Sequence, residues 1–255
     1  MALTATAPFA FLCGIVGGSF IGVVAHRVPR RQSIVGPRSR CDGCGTTIAA
    51  YDNVPIVSWV FLRGRARCCG APIPARYPLI ELTLGALFVA VVLAFEEDLA
   101  ELAMGLVLVS VLAAVTLTDL EHRIIPNRIL AVAALGGLAI AAVAEPASLP
   151  ERLGAAAGGG GFLLLAALAY PAGMGMGDVK LAAVLGLFLG AAVAPALLVA
   201  LVAGSVAGIV KVAREGAQAR KRGIPFGPFL ALGGVVALFA GDPIIDWYLQ
   251  TFLGA

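Results

Sequence analysis

Long apolar runs, separated by short polar ones, dominate this chain. Runs of about twenty apolar residues recur, and each can cross a bilayer core as a helix. Eight are read, at roughly 7–25, 79–95, 102–118, 128–144, 154–171, 179–193, 195–213 and 226–241. None shows the alternation of a membrane barrel strand. Lipid admits only helices and closed barrels. The pattern therefore predicts an all-α fold, a polytopic membrane bundle of about eight helices. The second and sixth runs are short enough to re-enter in part. The first lacks a basic leader region and a small-residue cleavage site before "HRVPRR", so it is read as retained. One polar stretch breaks the pattern, and it divides the chain into a first membrane helix at 1–25, a Cys-bearing loop at 26–77 and a membrane bundle at 78–255.

Small residues four apart, at Gly154 and Gly158, Gly186 and Gly190, and Gly204 and Gly208, predict close helix contacts. "AAAGGGG" at 155–161 predicts a tightly packed or bent helix. No internal repeat is visible, which weighs against a transporter of two inverted halves.

Composition agrees. Of 255 residues, 60% are hydrophobic and 13% charged, whereas a soluble domain is about half apolar and a quarter charged. Charge adds orientation. If the spans alternate, all but one of the 18 Lys and Arg fall on one side, Arg152 being the exception. The positive-inside bias puts that side, with the 26–77 loop, in the cytosol. A net charge of +3 then reflects topology and anionic-lipid contact, and no nucleic-acid partner is expected.

Two carboxylates stand out. Asp178 opens the sixth run, after the glycine- and methionine-rich "AYPAGMGMGD". Asp119 closes the third, in "TLTDLEHRIIPN". Counting crossings brings both to the cytosolic side at one depth. Ionisable groups within membrane segments are candidate functional sites. Two adjacent carboxylates in a low-dielectric site share a proton, so one serves as base and the other as acid. The glycines before Asp178 free the backbone and leave room for an extended substrate to pair with it. The structural alternatives are an N-cap role for Asp178 and an i+4 pair of Asp119 with Arg123.

The motif series "GSFIGVVAHRVPRR", "CDGC", "YDNVPIVSWVFLRGR", "RYPLIELTLG", "TDLEHRIIPN", "GMGDVKL" and "IPFGPFLALG" resembles, in that order, the bacterial prepilin peptidases, or type IV leader peptidases. These are Gly-x-Gly-Asp intramembrane aspartyl proteases. The resemblance implies an eight-span enzyme of the bacterial inner membrane. Such an enzyme removes the basic leader of type IV prepilins or type II secretion pseudopilins after glycine, on the cytosolic side. In many members the new terminus is then N-methylated from S-adenosylmethionine. Carried over by motif, the catalytic pair is Asp119 and Asp178. Gly175 and Gly177 become substrate-binding positions, and 78–255 the peptidase bundle. A cation channel or proton relay, and a membrane scaffold with a metal module, are the competing readings. The first should show paired broken helices, and the second has no need of two aspartates at one depth.

Cys41-x-x-Cys44 has the spacing of a zinc knuckle, and Cys68 and Cys69 follow in the same loop. A cytosolic loop argues against disulfides. The family pattern has a second C-x-x-C pair. Here Cys69 matches its last ligand, Ala66 stands where the other is expected, and Cys68 is displaced. Zinc held by Cys41, Cys44, Cys68 and Cys69 is the expectation, against a reduced, metal-free loop. The loop is thus the candidate zinc-binding and methyltransferase region. Cys13 reads as packing, and His26 as a boundary residue satisfied by backbone or headgroup. Gly22 replaces a common asparagine of the family. Glu81, just inside the second span, calls for a partner. Arg76 is the nearest cation in sequence, and Glu81 is also a candidate for receiving the substrate's new amino terminus.

Overall fold

A computed structural model describes residues 3–171, 173–216 and 223–254. Ala172, in the link before Asp178, lies outside the described residues, as do Arg220, Lys221 and Arg222 of the basic cluster. Among the described residues the regular structure is helical: α1 (Leu3–Arg27), α2 (Val57–Phe61), α3 (Arg76–Phe95), α4 (Leu99–His122), α5 (Asn127–Ala144), α6 (Leu149–Ala169), α7 (Met176–Leu189), α8 (Val193–Glu215) and α9 (Gly227–Tyr248). The chain forms two compact units, residues 1–102 and 103–255.

In the first unit α1 and α3 pack antiparallel. Gly14 and Gly18 of α1 lie against the backbone of Gly85 and Glu81. Between these helices the loop carries two turns, closed by isolated bridges of Arg40 with Thr47 and Arg65 with Pro72.

In the second unit α7 is the central helix. Its sequence is apolar on nearly all sides, and nine of its 14 residues are buried. Neighbours show the directions. Gly186 of α7 lies on Ala155 of α6 and Gly160 on Ala183, so these two are antiparallel. Gly137 of α5 meets Phe188, and Gly177 meets Ile125 just before α5, so α5 runs parallel to α7. Gly234 of α9 lies against Leu185, and Gly241 against Ala192, so α9 is also parallel to α7. Gly233 lies against Ala196 and Gly204 against Phe226, so α8 runs against α9 and therefore against α7.

These directions show that one long apolar segment is two helices. Among the described residues seven helical segments are long and apolar enough to span, and one of them, Met176–Glu215, has 40 residues. A straight helix of that length would reach about 60 Å, twice the hydrocarbon core. It reverses instead at Gly190, whose φ of +55° suits glycine, through a short 3₁₀ turn at Gly190–Ala192. α7 and α8 are thus two antiparallel segments, which brings the long helical segments among the described residues to the expected eight.

Only some of the predicted glycine contacts form. Gly186 is packed as expected, but Gly154, Gly158 and Gly208 have open space where a side chain would stand. Of the four glycines in "AAAGGGG" it is Gly159 and Gly160 that touch α7. The spacing was visible in sequence, but which helix face met a neighbour was not. Arg152 is buried at the opposite end of α7 from Asp178. It donates to the Phe188 carbonyl at 2.8 Å and to Ser148 Oγ at 3.0 Å, with Glu145 at 3.3 Å. A cation on the last carbonyls of α7 offsets the negative end of the helix.

Candidate active site

The alternation of α4 to α9 brings the end of α4 and the starts of α7 and α9 to one end of the second unit. Asp119 and Asp178 meet there. Both are buried, at 5% and 9% exposure, and Asp119 is near enough to act on Asp178 electrostatically. Each is fixed by one glycine N–H. Gly227 N donates to Asp119 Oδ2 at 2.9 Å, and Gly175 N to Asp178 Oδ2 at 3.1 Å.

The local reasons differ. Asp178 is the third helical residue of α7, with Gly175 at the N-cap. Its carboxylate reaches back to an amide that the first turn leaves without a helical partner. The N-cap alternative is therefore corrected: the acid sits one turn into the helix. The link before it is non-helical at Tyr170 and at Gly173 to Gly175, but Met176 and Gly177 already belong to α7. Gly177 is covered by Ile125, to whose Cβ an added Cβ would come within 3.0 Å, whereas Gly175 stays exposed. The pairing of Asp119 with Arg123 takes another form. Arg123 ends the helix at φ +54°, and its amide bonds the Asp119 carbonyl at 2.9 Å. Lys180 binds Asn127 Oδ1 at 2.9 Å and so ties the first turn of α7 to the start of α5.

Gly227 escaped the sequence reading. A Cβ there would lie 2.7 Å from Asp119 Oδ2. The signal was "FGPF": a Gly-Pro pair opening a helix presents one free, unobstructed amide.

The cysteines converge in the first unit. The Sγ atoms of Cys41, Cys44, Cys68 and Cys69 all lie within 4.8 Å of one another. Cys41 and Cys69 are 3.5 Å apart, and Cys44 and Cys68 3.3 Å. A tetrahedral zinc with bonds near 2.3 Å would set thiolates about 3.8 Å apart, so the set fits such an ion. The two turns correspond residue by residue. Cys41 N bonds Thr46 O and Gly45 N bonds Cys41 O. In the same way Ala66 N bonds Ala71 O and Gly70 N bonds Ala66 O. Gly45 and Gly70 share φ near +73° (+74° and +72°). Ala66 thus occupies the place of Cys41, and Cys68 supplies the fourth thiol from the place of Gly43. The Thr46 hydroxyl and amide hold the Cys44 thiol down at about 6, and the Cys44 and Cys41 thiols push Cys68 up to about 12.

Glu81 is buried, but its partner is not Arg76. Its Oε2 accepts from Ile56 N at 2.7 Å, and the Ser19 hydroxyl is a second donor. Five positions along a helix turn a side chain by about 140°, so residues 76 and 81 face different ways. Arg76 lies over the Tyr77 ring at 5.4 Å.

Comparison with known proteins agrees with this geometry. Residues 12–95 match the bacterial Peptidase A24 N-terminal domain, and residues 106–212 the type IV leader peptidase family. The chain belongs to the type IV leader peptidase family. The prepilin leader peptidase/N-methyltransferase of Aeromonas hydrophila is 37% identical, over 95% of this chain and 93% of its own. That of Bacillus subtilis is 37% identical, over 96% and 98%, and that of Burkholderia pseudomallei 37%, over 92% and 85%. No solved structure matches. The protein is a membrane-embedded peptidase of this family, multi-pass in the inner membrane, with four cysteines placed to hold a metal.

Proposed function

We propose that the chain removes the basic leader of type IV prepilins or type II pseudopilins after glycine, on the cytosolic side, and then N-methylates the new terminus. The observation that carries the cleavage is the pair of buried carboxylates, Asp119 and Asp178, each held by a glycine amide at one end of the bundle. One takes a proton from the attacking water, while the other gives a proton to the peptide carbonyl oxygen. The two exchange roles when the amine leaves. Fixing each carboxylate through one oxygen leaves the other for water or substrate. Gly175 and Gly177 receive the extended substrate, the exposed Gly175 along its backbone. Glu81 receives the new amino terminus.

The 26–77 loop is assigned to metal binding and methylation, and the 78–255 bundle to cleavage. Zinc is the ion that four converging thiols fit best, in a structural role. S-adenosylmethionine would supply the methyl group. The basic residues flanking the loop support its cytosolic placement. Prepilin incubated with the purified protein, with and without S-adenosylmethionine, and weighed by intact mass tests both activities. Loss of the leader alone, or of the leader with one added methyl group, separates them. An intact prepilin would sink the proposal.

A further inference from the structure

The first unit has an open cavity of about 930 Å³, within the range of about 300–1,000 Å³ typical of small-molecule sites. α1 contributes Ser19 and Gly22 to its wall. The loop contributes Ile56 and Trp59, and α3 contributes Tyr77 and Glu81. Glu81 is 8% exposed, and no cation among the described residues pairs with it. A buried carboxylate that no cation contacts favours a cationic group against it, and Arg27, Arg38, Arg40 and Arg67 elsewhere on the wall suit an anionic group of the same ligand.

The backbone opposite is held in an unusual way. Ile56 has φ +59°, a region that β-branched residues avoid, and such strain clusters at functional sites. This conformation delivers the Ile56 amide to Glu81 at 2.7 Å and fixes where the carboxylate points. Trp59 is also fixed, its indole N–H donating to the Ile73 carbonyl at 3.0 Å. Trp59 and Tyr77 line the cavity with aromatic rings, which suit a planar base or a cation. On α1, Gly22 leaves the wall open beside the Tyr77 ring, 3.4 Å from where a Cβ would stand.

We propose that this cavity is the binding site of S-adenosylmethionine, with its sulfonium at the Glu81 end and its base among the aromatic side chains. The proposal rests on the methyltransferase reading above. A sulfonium meeting a neutral amine carries one positive charge, and the single carboxylate of Glu81 offsets it.

The test is direct binding of methyl-tritiated S-adenosylmethionine to the full-length protein in detergent, by equilibrium dialysis. Ultraviolet cross-linking and peptide mapping follow. Saturable binding is expected, with the label between residues 51 and 81. Glu81→Gln and Gly22→Phe should each weaken binding at least about tenfold, since a charged or filled contact contributes on that scale. Unchanged helicity and melting temperature would show that the variants fold. If the wild type methylates a cleaved pilin but is labelled elsewhere, or both variants bind normally, the cavity assignment is overturned and the methyltransferase reading stands. A wild type that neither binds the donor nor methylates removes both.

Discussion

At the scale of single residues, Asp119 and Asp178 are buried acids held by glycine amides. Replacing either by Asn keeps size and removes the acid–base function. Each variant should lose cleavage by about 10²-fold or more, with helicity unchanged, in a prepilin-processing assay. Near-normal rates in either would unseat the pair. Gly227→Ala probes the position that the sequence reading missed. Its Cβ would come within 2.7 Å of Asp119 Oδ2, so the carboxylate must move, and a fall of about tenfold is expected, because small displacements at a reacting centre are costly. The thiols give a pH prediction. In zinc-free protein Cys44, held at about 6 by Thr46, is thiolate above that pH and loses the charge as pH falls through it. Iodoacetamide at neutral pH should modify Cys44 first and Cys68 last, and acidification below about 6 should slow the modification of Cys44 by about tenfold per pH unit while leaving it ahead of Cys68. Mass mapping of the alkylated peptides reads this order.

At the scale of elements, the metal cluster depends on two corresponding turns, and Ala66 holds the place that matches Cys41. Moving the fourth thiol there should be tolerated. Cys68→Ala alone should lower zinc content well below one per chain, and Ala66→Cys added to it should restore about one. Metal analysis of purified protein checks both, and failure of the rescue would deny the correspondence. α6 and α7 press together at Gly186, where any side chain would enter the Ala155 carbonyl. Gly186→Val should cost about 1–3 kcal/mol by forcing the helices apart, seen as a lowered melting temperature in detergent. Gly158→Val, facing open space, should leave it nearly unchanged.

At the scale of the whole molecule, the prediction is topological. Alkaline phosphatase, active only outside the cytosol, should be inactive when fused after Ser33 or Arg123 and active after Glu97. Basic residues flank the first two positions, and the acidic "EEDLAE" stretch surrounds the third. Activity after Ser33 would reverse the assigned orientation. The reversal at Gly190 belongs to this scale as well. It turns one 40-residue helical segment into two antiparallel helices and so returns the start of α9, with Gly227, to the aspartates.

The eight long helical segments, the place of Asp119 and Asp178 at one end of the second unit and the convergence of the loop cysteines were legible in the sequence. Apolar run length, alternation of crossings and residue spacing are properties of the chain in order, and lipid leaves helices few other choices. Contacts across helices were not legible. Gly227 meets Asp119 from 108 positions away, Glu81 takes Ile56 rather than Arg76, and Cys68 joins the thiols although its turn places Ala66 in register. Each of these depends on the angle at which one helix or turn faces another. That angle is set by side-chain packing over the whole unit, and glycine spacing in the sequence marks where helices could approach without saying which of them do.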